Sequence, residues 1–192
     1  MTKFYLNINA TQVCIALPQN ADAMPLAFTT AKAFSGGIAR TASGIEKVLA
    51  DGIHVPADDP RTDHVAVIDH STGLMWSVES LGSEDDADKG LNHEACTKRA
   101  AALRLLGHDD WRLPTRAELA ALVDDTRREP AIDTSLFPRV KPRWHWTSTP
   151  WIDSDGKASA SVAWYVSFRY GGVGSIPRFN LGFALAVRRA GQ

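Results

Sequence analysis

The sequence predicts an α+β domain in which two helices pack on a small, twisted antiparallel sheet, with a small β-rich segment in front of it. Three observations carry that expectation. Helical signatures occupy residues 92–107 and 114–124, strand-like apolar runs lie on both sides of them, and Gly/Pro/Asn/Asp-rich loops rather than long helices fill the C-terminal third. The chain has 192 residues, 44% hydrophobic and 22% charged, with a formal net charge of −1. At that size roughly two thirds of the unfolded surface is buried on folding, so no disulfide or metal staple is required. Intrinsic disorder and a fibrous repeat are excluded by the same composition.

Taken in order, residues 4–8 and 13–17 alternate apolar and polar side chains and read as a hairpin or two short strands. Residues 30–52 are rich in Ala, Gly and Ser; a short helix is expected over 45–50, with Gly52 as its stop. The Pro/Asp run at 54–60 reads as a linker. A domain boundary is therefore expected near Asp63, separating an N-terminal docking or assembly segment (1–62) from a recognition domain (63–192). Residues 65–68 and 74–76 form a hairpin around the Asp-His-Ser-Thr-Gly turn at 69–73. In the first helix Asn92 suits the N-cap and Gly107 the C′ position, and Ala95, Arg99, Ala102, Leu103 and Leu106 share one stripe. The second helix starts behind Pro114 with Thr115 and Glu118 at capping-box spacing, and presents Leu119, Leu122 and Val123. Strands follow at 144–148, 163–170 and 183–189.

The chemistry-bearing residues point away from catalysis. There is no Gly-x-Ser-x-Gly elbow, His-Glu-x-x-His pair or Walker loop, and no cysteine with a placed histidine, so the chain is expected not to be an enzyme. Cys14 and Cys96 stand 82 positions apart outside any CxxC cluster and read as two separate thiols. The six histidines are scattered over loops and element ends and are expected to be mostly exposed. The acidic stretch 84–88 and the pair Asp109 and Asp110 could offer oxygens to calcium, but EF-hand spacing is missing. No metal site is therefore expected, and calcium is the one cofactor for which donors exist. A sequence pI near 6.6 does not suit a nucleic-acid binder. Nor does the sequence contain an apolar run of about 18 residues, so insertion in a membrane is not expected. The N-terminal residues lack the roughly 7–15-residue apolar stretch of a secretion signal.

The neutral balance hides an asymmetry. Residues 1–126 carry 11 basic and 18 acidic side chains, and residues 127–192 carry 10 basic and 4 acidic. Either the two halves attract each other within one fold, or the C-terminal part meets an anionic ligand.

Several motifs now combine. Asp69-His70-Ser71-Thr72-Gly73-Leu74-Met75-Trp76 is followed by Asp110-Trp111-Arg112-Leu113-Pro114-Thr115 with Glu118-Leu119, then Phe137-Pro138, Trp146-Thr147-Ser148-Thr149, Ala163-Trp164-Tyr165-Val166-Ser167-Phe168 and Ala186-Val187-Arg188. In that order they resemble the Lcl C-terminal-like family over about residues 63 to 190. The resemblance implies a C-type-lectin-like fold whose loop-rich C-terminal half presents a ligand site. It also implies the contexts of the family: adhesins, phage tail proteins and retroelement-diversified variable proteins. The chain departs from calcium-dependent lectins, having no Glu-Pro-Asn, Gln-Pro-Asp or Trp-Asn-Asp triplet, so a calcium-bridged sugar site is not carried over.

Most of these motif residues are expected to be structural: Trp76, Trp111, Trp146 and Trp164 in the core, Arg112 and Arg188 satisfying buried acceptors. Alternation puts Trp164, Val166 and Phe168 on the inner face of their strand and Tyr165, Ser167 and Arg169 on the outer one. Phe179 is also expected in the core. The ligand-binding candidates are Trp151, Tyr165, Arg169, Tyr170, Arg178 and Asn180, which combine aromatic area with positive charge on glycine-flanked loops. The expected function is recognition without catalysis by a phage tail-tip or fibre-associated protein. Its N-terminal segment would dock to other tail or surface proteins, its partner would be a host cell-surface glycan or protein, and it would reside in the virion, with a homo-oligomer as one form of assembly. The alternatives are a bacterial adhesin for acidic glycans and a tail component without a ligand.

Overall fold

In the computed structural model the described residues are 3–8, 11–16 and 44–191. Strands β1 (Lys3–Ile8) and β2 (Thr11–Ala16) pair antiparallel with Lys3 opposite Ala16, which forms the expected hairpin. The chain divides into two compact units, residues 1–37 and 38–192. The second contains β3 (Ile45–Val48), β4 (His54–Pro56), β5 (Ala66–Asp69), β6 (Leu74–Ser77), α1 (His93–Ala102), α2 (Arg116–Ala120), β7 (Trp144–Ile152), β8 (Ala158–Ser167), β9 (Val173–Pro177) and β10 (Val187–Arg189).

One antiparallel sheet has the order β10-β6-β5-β3-β4 and another the order β7-β8-β9. Two expectations are corrected by the first sheet. Residues 45–48 are strand rather than helix, since β5 offers β-branched Ile45 and Val48 a ready ladder. Gly52, read as a helix stop, instead takes a positive φ in the β3–β4 turn and donates to Leu49 O. The supposed linker supplies β4, with Pro56 tolerated because β4 is an edge strand. Lys47 Nζ then pins the following loop by donating to the Asp59 and Arg61 carbonyls at 2.6 and 3.2 Å. The boundary expected near Asp63 thus falls inside one sheet.

The paired registers Val67–Trp76 and Ile68–Met75 send alternate residues to opposite sides of this sheet. Ile68 and Met75 enter a cluster with Val48, Cys96, Trp111 and Trp146, while Val67 and Trp76 enter another with Leu119, Phe137, Val166 and Phe168. Residues 184–187 alternate between the same two clusters, which explains their continuous apolarity.

Asn92 caps α1 as expected, its Oδ1 accepting from Ala95 N at 2.9 Å. The helix nevertheless ends at Leu103, and Gly107 with Leu106 closes a later turn at positive φ. Its buried face is His93, Cys96 and Ala100, not the expected stripe, and Ala102 is exposed. Small side chains face inward because the backbone is close there: Cys96 Sγ lies 3.7 Å from Gly182 O. The α2 capping box is complete, with Glu118 N donating to Thr115 Oγ1 and Thr115 N to Glu118 Oε2.

Trp76, Trp111 and Trp146 are buried as expected. Arg112 makes a bidentate pair with Glu118 at 2.9 and 2.8 Å, and Arg188, 2% exposed, donates to Asp110 Oδ1 at 2.6 Å. Trp164 departs from expectation: it is half-buried beneath the Arg116 guanidinium, 4.4 Å from the ring centroid, while its neighbour Ala163, on the other side of β8, is the fully buried residue there. Phe179, expected inside, is 78% exposed in the turn after β9. Three of the six histidines are buried rather than exposed, namely His64, His93 and His145. Each sets one ring nitrogen against a backbone carbonyl, of Leu136, Thr147 and Arg143 respectively, and His64 Nδ1 is buried without a hydrogen-bond partner among the described residues.

Candidate recognition site

The first residues of β7 carry the most distinctive surface of the 38–192 unit. Trp144 and Trp146 alternate with His145, so both indoles leave the strand on one side. Their fates differ: Trp146 is fully buried, with Nε1 donating to Leu91 O at 3.2 Å and its ring edge-on to His93, whereas Trp144 is 41% exposed at the rim. The Trp144 ring rests on Tyr165 of β8, centroids 5.5 Å apart. Tyr165 in turn lies across Gly174 of β9, where an added Cβ would stand 2.6 Å from the phenolic oxygen. Only glycine leaves room for that ring.

Beside this aromatic step lies a cleft of about 330 Å³ lined by Asp88, Gly90, Pro142, Arg143, Trp144, Arg169, Leu181 and Phe183. Phe183 N donates to Trp144 O at 2.8 Å and Trp146 N to Phe183 O at 2.9 Å, which brings Leu181 and Phe183 alongside β7. Below, His145 is buried between Phe168 and Phe183. Its Nδ1 faces the Arg143 carbonyl at 3.1 Å, which can only accept, so the proton sits there and Nε2 accepts from the Ser80 hydroxyl at 2.7 Å. Ser80 Oγ itself accepts from Lys141 N at 2.8 Å. Burial drives the His145 pKa down to about 4, keeping the ring neutral and the segment 141–145 fixed.

The charges around the cleft divide into tied and free. Lys141 Nζ is held by Asp88 at 2.5 Å, and that bond lowers the Asp88 pKa. Arg169 Nε donates to Glu129 Oε1 at 3.1 Å while its guanidinium covers Tyr170 at 4.9 Å. The Arg143 guanidinium forms no ion pair among the described residues. It is the cation available to a ligand.

The six expected ligand-binding residues do not form one surface. Arg169 lines the cleft and Tyr165 supports Trp144. Tyr170 is exposed next to Arg169, with Arg128 5.8 Å from its ring centroid. Arg178 and Asn180 sit beyond the other end of the β8–β9 ladder, which runs from Val166 opposite Val173 to Val162 opposite Pro177. That is roughly 13 Å of strand. Both are used internally: Arg178 Nε donates to Val162 O, and Asn180 Nδ2 to Pro177 O. Trp151 is half-buried in the far part of β7, past the irregularity between Trp146 and Pro150. Arg143, Trp144, Leu181 and Phe183 were missed by sequence reasoning. The Trp-His-Trp alternation at 144–146 held part of the signal, because of two indoles on one side of a strand the one at the strand end stands at the rim.

A second cleft of about 500 Å³ lies between the β3–β4 turn and the 106–108 turn, with His54, His108 and Asp51 among its lining residues. Nearby, Glu46 Oε2 meets His54 Nδ1 at 2.9 Å and His70 Nε2 at 3.2 Å. Burial pushes the Glu46 pKa up, and the two imidazole hydrogen bonds outweigh it, leaving the pKa lowered. Among the described residues no group of three or more His, Cys, Asp or Glu is arranged to hold a metal ion. Carboxylates of the acidic loop are committed separately, Glu84 to Arg99 and Asp88 to Lys141. No helix among the described residues is long and apolar enough to cross a membrane. Cys96 is a buried thiol with its pKa pushed up to about 12, unsuited to nucleophilic chemistry; the side chain of Cys14 lies outside the described residues.

The unit is thus an α+β scaffold that holds an aromatic step beside a cleft with arginines in its lining. The chain belongs to the Lcl C-terminal domain family, which it matches over residues 65–188. No curated protein matches it. The family supports an adhesin-type theme.

Proposed function

We propose that the chain is a non-enzymatic recognition protein with a C-type-lectin-like fold, and that it binds its ligand in the cleft between Trp144, Arg143, Arg169 and Leu181. The observation that carries this reading is the rim-exposed Trp144, stacked on Tyr165 beside a free Arg143 on a strand fixed from below by His145. Aromatic and arginine side chains on rigid elements give large contact area with few rotors to freeze, which is why they dominate recognition hot spots. Within the contexts of the family, a phage tail-tip or fibre-associated protein that recognises a host surface is the specific form proposed. Residues 1–37 would dock to other tail proteins, and the location would be the virion. A bacterial adhesin for acidic glycans is a second reading, favoured by the basic excess over 127–192.

The test is binding of the purified full chain to host cells or extracted surface polysaccharide. The double substitution Arg143→Ala and Arg169→Ala should lower binding at least tenfold, about 1.4 kcal/mol, with an unchanged circular dichroism spectrum. Lys157→Ala, at the far β7–β8 turn, should leave binding intact. Equal binding by the folded double variant and the native chain would remove the site from this cleft.

A further inference from the structure

The chemistry of the cleft narrows what it binds. Hydroxyl-rich neutral sugars are held by planar polar side chains that donate and accept together, and none of the residues lining this cleft is Asn or Gln. Its one carboxylate, Asp88, is already engaged by Lys141. What the cleft offers is an apolar wall and base, Trp144, Leu181 and the buried Phe183, with a cation at the lip in Arg143.

The surroundings continue the same pattern. Leu181 is 55% exposed and Trp144 41%, and both line the cleft. An exposed leucine beside an exposed tryptophan forms the kind of apolar patch that marks a protein-binding surface. A sulfated or carboxylated polysaccharide would use the arginines and leave this apolar area uncovered. A peptide that carries an apolar side chain beside acidic ones would use both, burying the former against Trp144 and Leu181 while its carboxylate pairs with Arg143.

We infer that the occupant of the Trp144–Leu181 cleft is an acidic, apolar-anchored segment of a protein, not a glycan. The inference rests on the reading that this cleft is the recognition site, and adds the class of ligand. A partner protein presents one leucine or phenylalanine to the cleft, flanked by Asp or Glu.

The experiment uses the full chain and two fluorescein-labelled peptides of equal charge, acetyl-Asp-Glu-Leu-Asp-Phe-Glu-amide and the same peptide with Ser replacing Leu and Phe. Labelled dextran sulfate is the third probe, and anisotropy is the readout. The apolar peptide should bind at least tenfold more tightly than its serine counterpart. Leu181→Ser, a change at an exposed position, should erase that preference, and Arg143→Ala should weaken the apolar peptide at least tenfold. Equal binding of the two peptides overturns the inference, as does a preference that survives Leu181→Ser. If dextran sulfate binds, loses affinity with Arg143→Ala and ignores Leu181→Ser, while neither peptide binds, the ligand is a polyanionic glycan. The recognition reading of the cleft then stands and the peptide inference fails. If no probe binds and Arg143→Ala leaves host-cell binding unchanged, both fail.

Discussion

Where the five-stranded sheet places charged side chains inside, it gives them partners: Glu46 has His54 and His70, Lys47 has two loop carbonyls, and Arg188 next to β6 has Asp110. The three-stranded sheet does the reverse with apolar groups, leaving Trp144, Ile152 and Val173 in solvent. A buried charge without a partner costs several kcal/mol, so the first arrangement is a requirement of folding. An exposed indole or valine helps folding little, so the second arrangement points to binding. On the proposed reading, stability and recognition fall to different sheets, and β7 is where they meet, since Trp146 belongs to the core and Trp144 to the surface.

The largest expected effect comes from cutting the first sheet. A fragment of residues 63–192 lacks β3 and β4, which opens the edge of β5 and uncovers Ile68 and Met75. It should lose the cooperative thermal transition that a fragment of 38–192 retains, as followed by circular dichroism. Equal cooperativity of the two fragments would show β3 and β4 to be accessory, and would restore a boundary near Asp63.

The next contrast lies within one strand. Trp146→Ala removes a fully buried indole that ties β7 to α1 through Leu91 and His93, and should cost about 3–5 kcal/mol in denaturant unfolding. Trp144→Ala, two residues away, should cost about 1 kcal/mol or less and act on binding instead. Similar losses at the two positions would break the division between the buried and the exposed indole of β7.

How much of this was legible in the sequence follows the range of the interactions concerned. Asn92 and the Thr115–Glu118 box were readable because a cap is satisfied within four residues. Trp76, Trp111 and Trp146 are buried and Arg112 and Arg188 are tied to Glu118 and Asp110, the burial and internal bonding that their apolar and loop contexts predict. Residues 45–56 were misread because their state depends on β5, which lies beyond the range of local pattern. The cleft was missed for the same reason: Arg143 and Leu181 are 38 positions apart, and they meet through the Phe183–Trp144 pairing. Arg178 and Asn180 had the right residue types, but their side chains are spent on nearby carbonyls.

Acid should separate the buried histidines from the surface. The folded-state pKa of His145 lies near 4, below an unfolded value of about 6.5, and burial also lowers those of His64 and His93. The unfolded chain therefore binds protons first. Stability is complete above about pH 6.5 and falls as pH drops from there through 4, by about 3 kcal/mol from His145 alone. His145→Phe removes that titration, so its stability profile should be flatter between those limits. An equally steep profile in the variant would assign the acid sensitivity to other groups.

The smallest effect tests how α2 joins the two sheets. Its first turn is held from three sides: Thr115 Oγ1 accepts from Glu118 N, Arg116 N donates to Thr149 Oγ1 of β7, and the Arg116 guanidinium covers Trp164 of β8. Thr115→Ala removes one of these and should cost about 1 kcal/mol. Glu118 would lose only the smallest of the hydrogen bonds that lower its pKa, now about 2, and would keep its bidentate pair with Arg112 and its bond from Thr115 N, so its carboxyl should stay below the ordinary range. Because that pKa is lowered, the stability it contributes is present above about 4.5 and is lost as pH falls through 2. Thr115→Ala should therefore shift the whole stability curve down by a constant amount without changing its slope in acid. A shallower fall between pH 4.5 and 2 in the variant would mean that the threonine hydroxyl also orients the Arg112–Glu118 pair, making the cap part of that ion pair's support and not an independent stop.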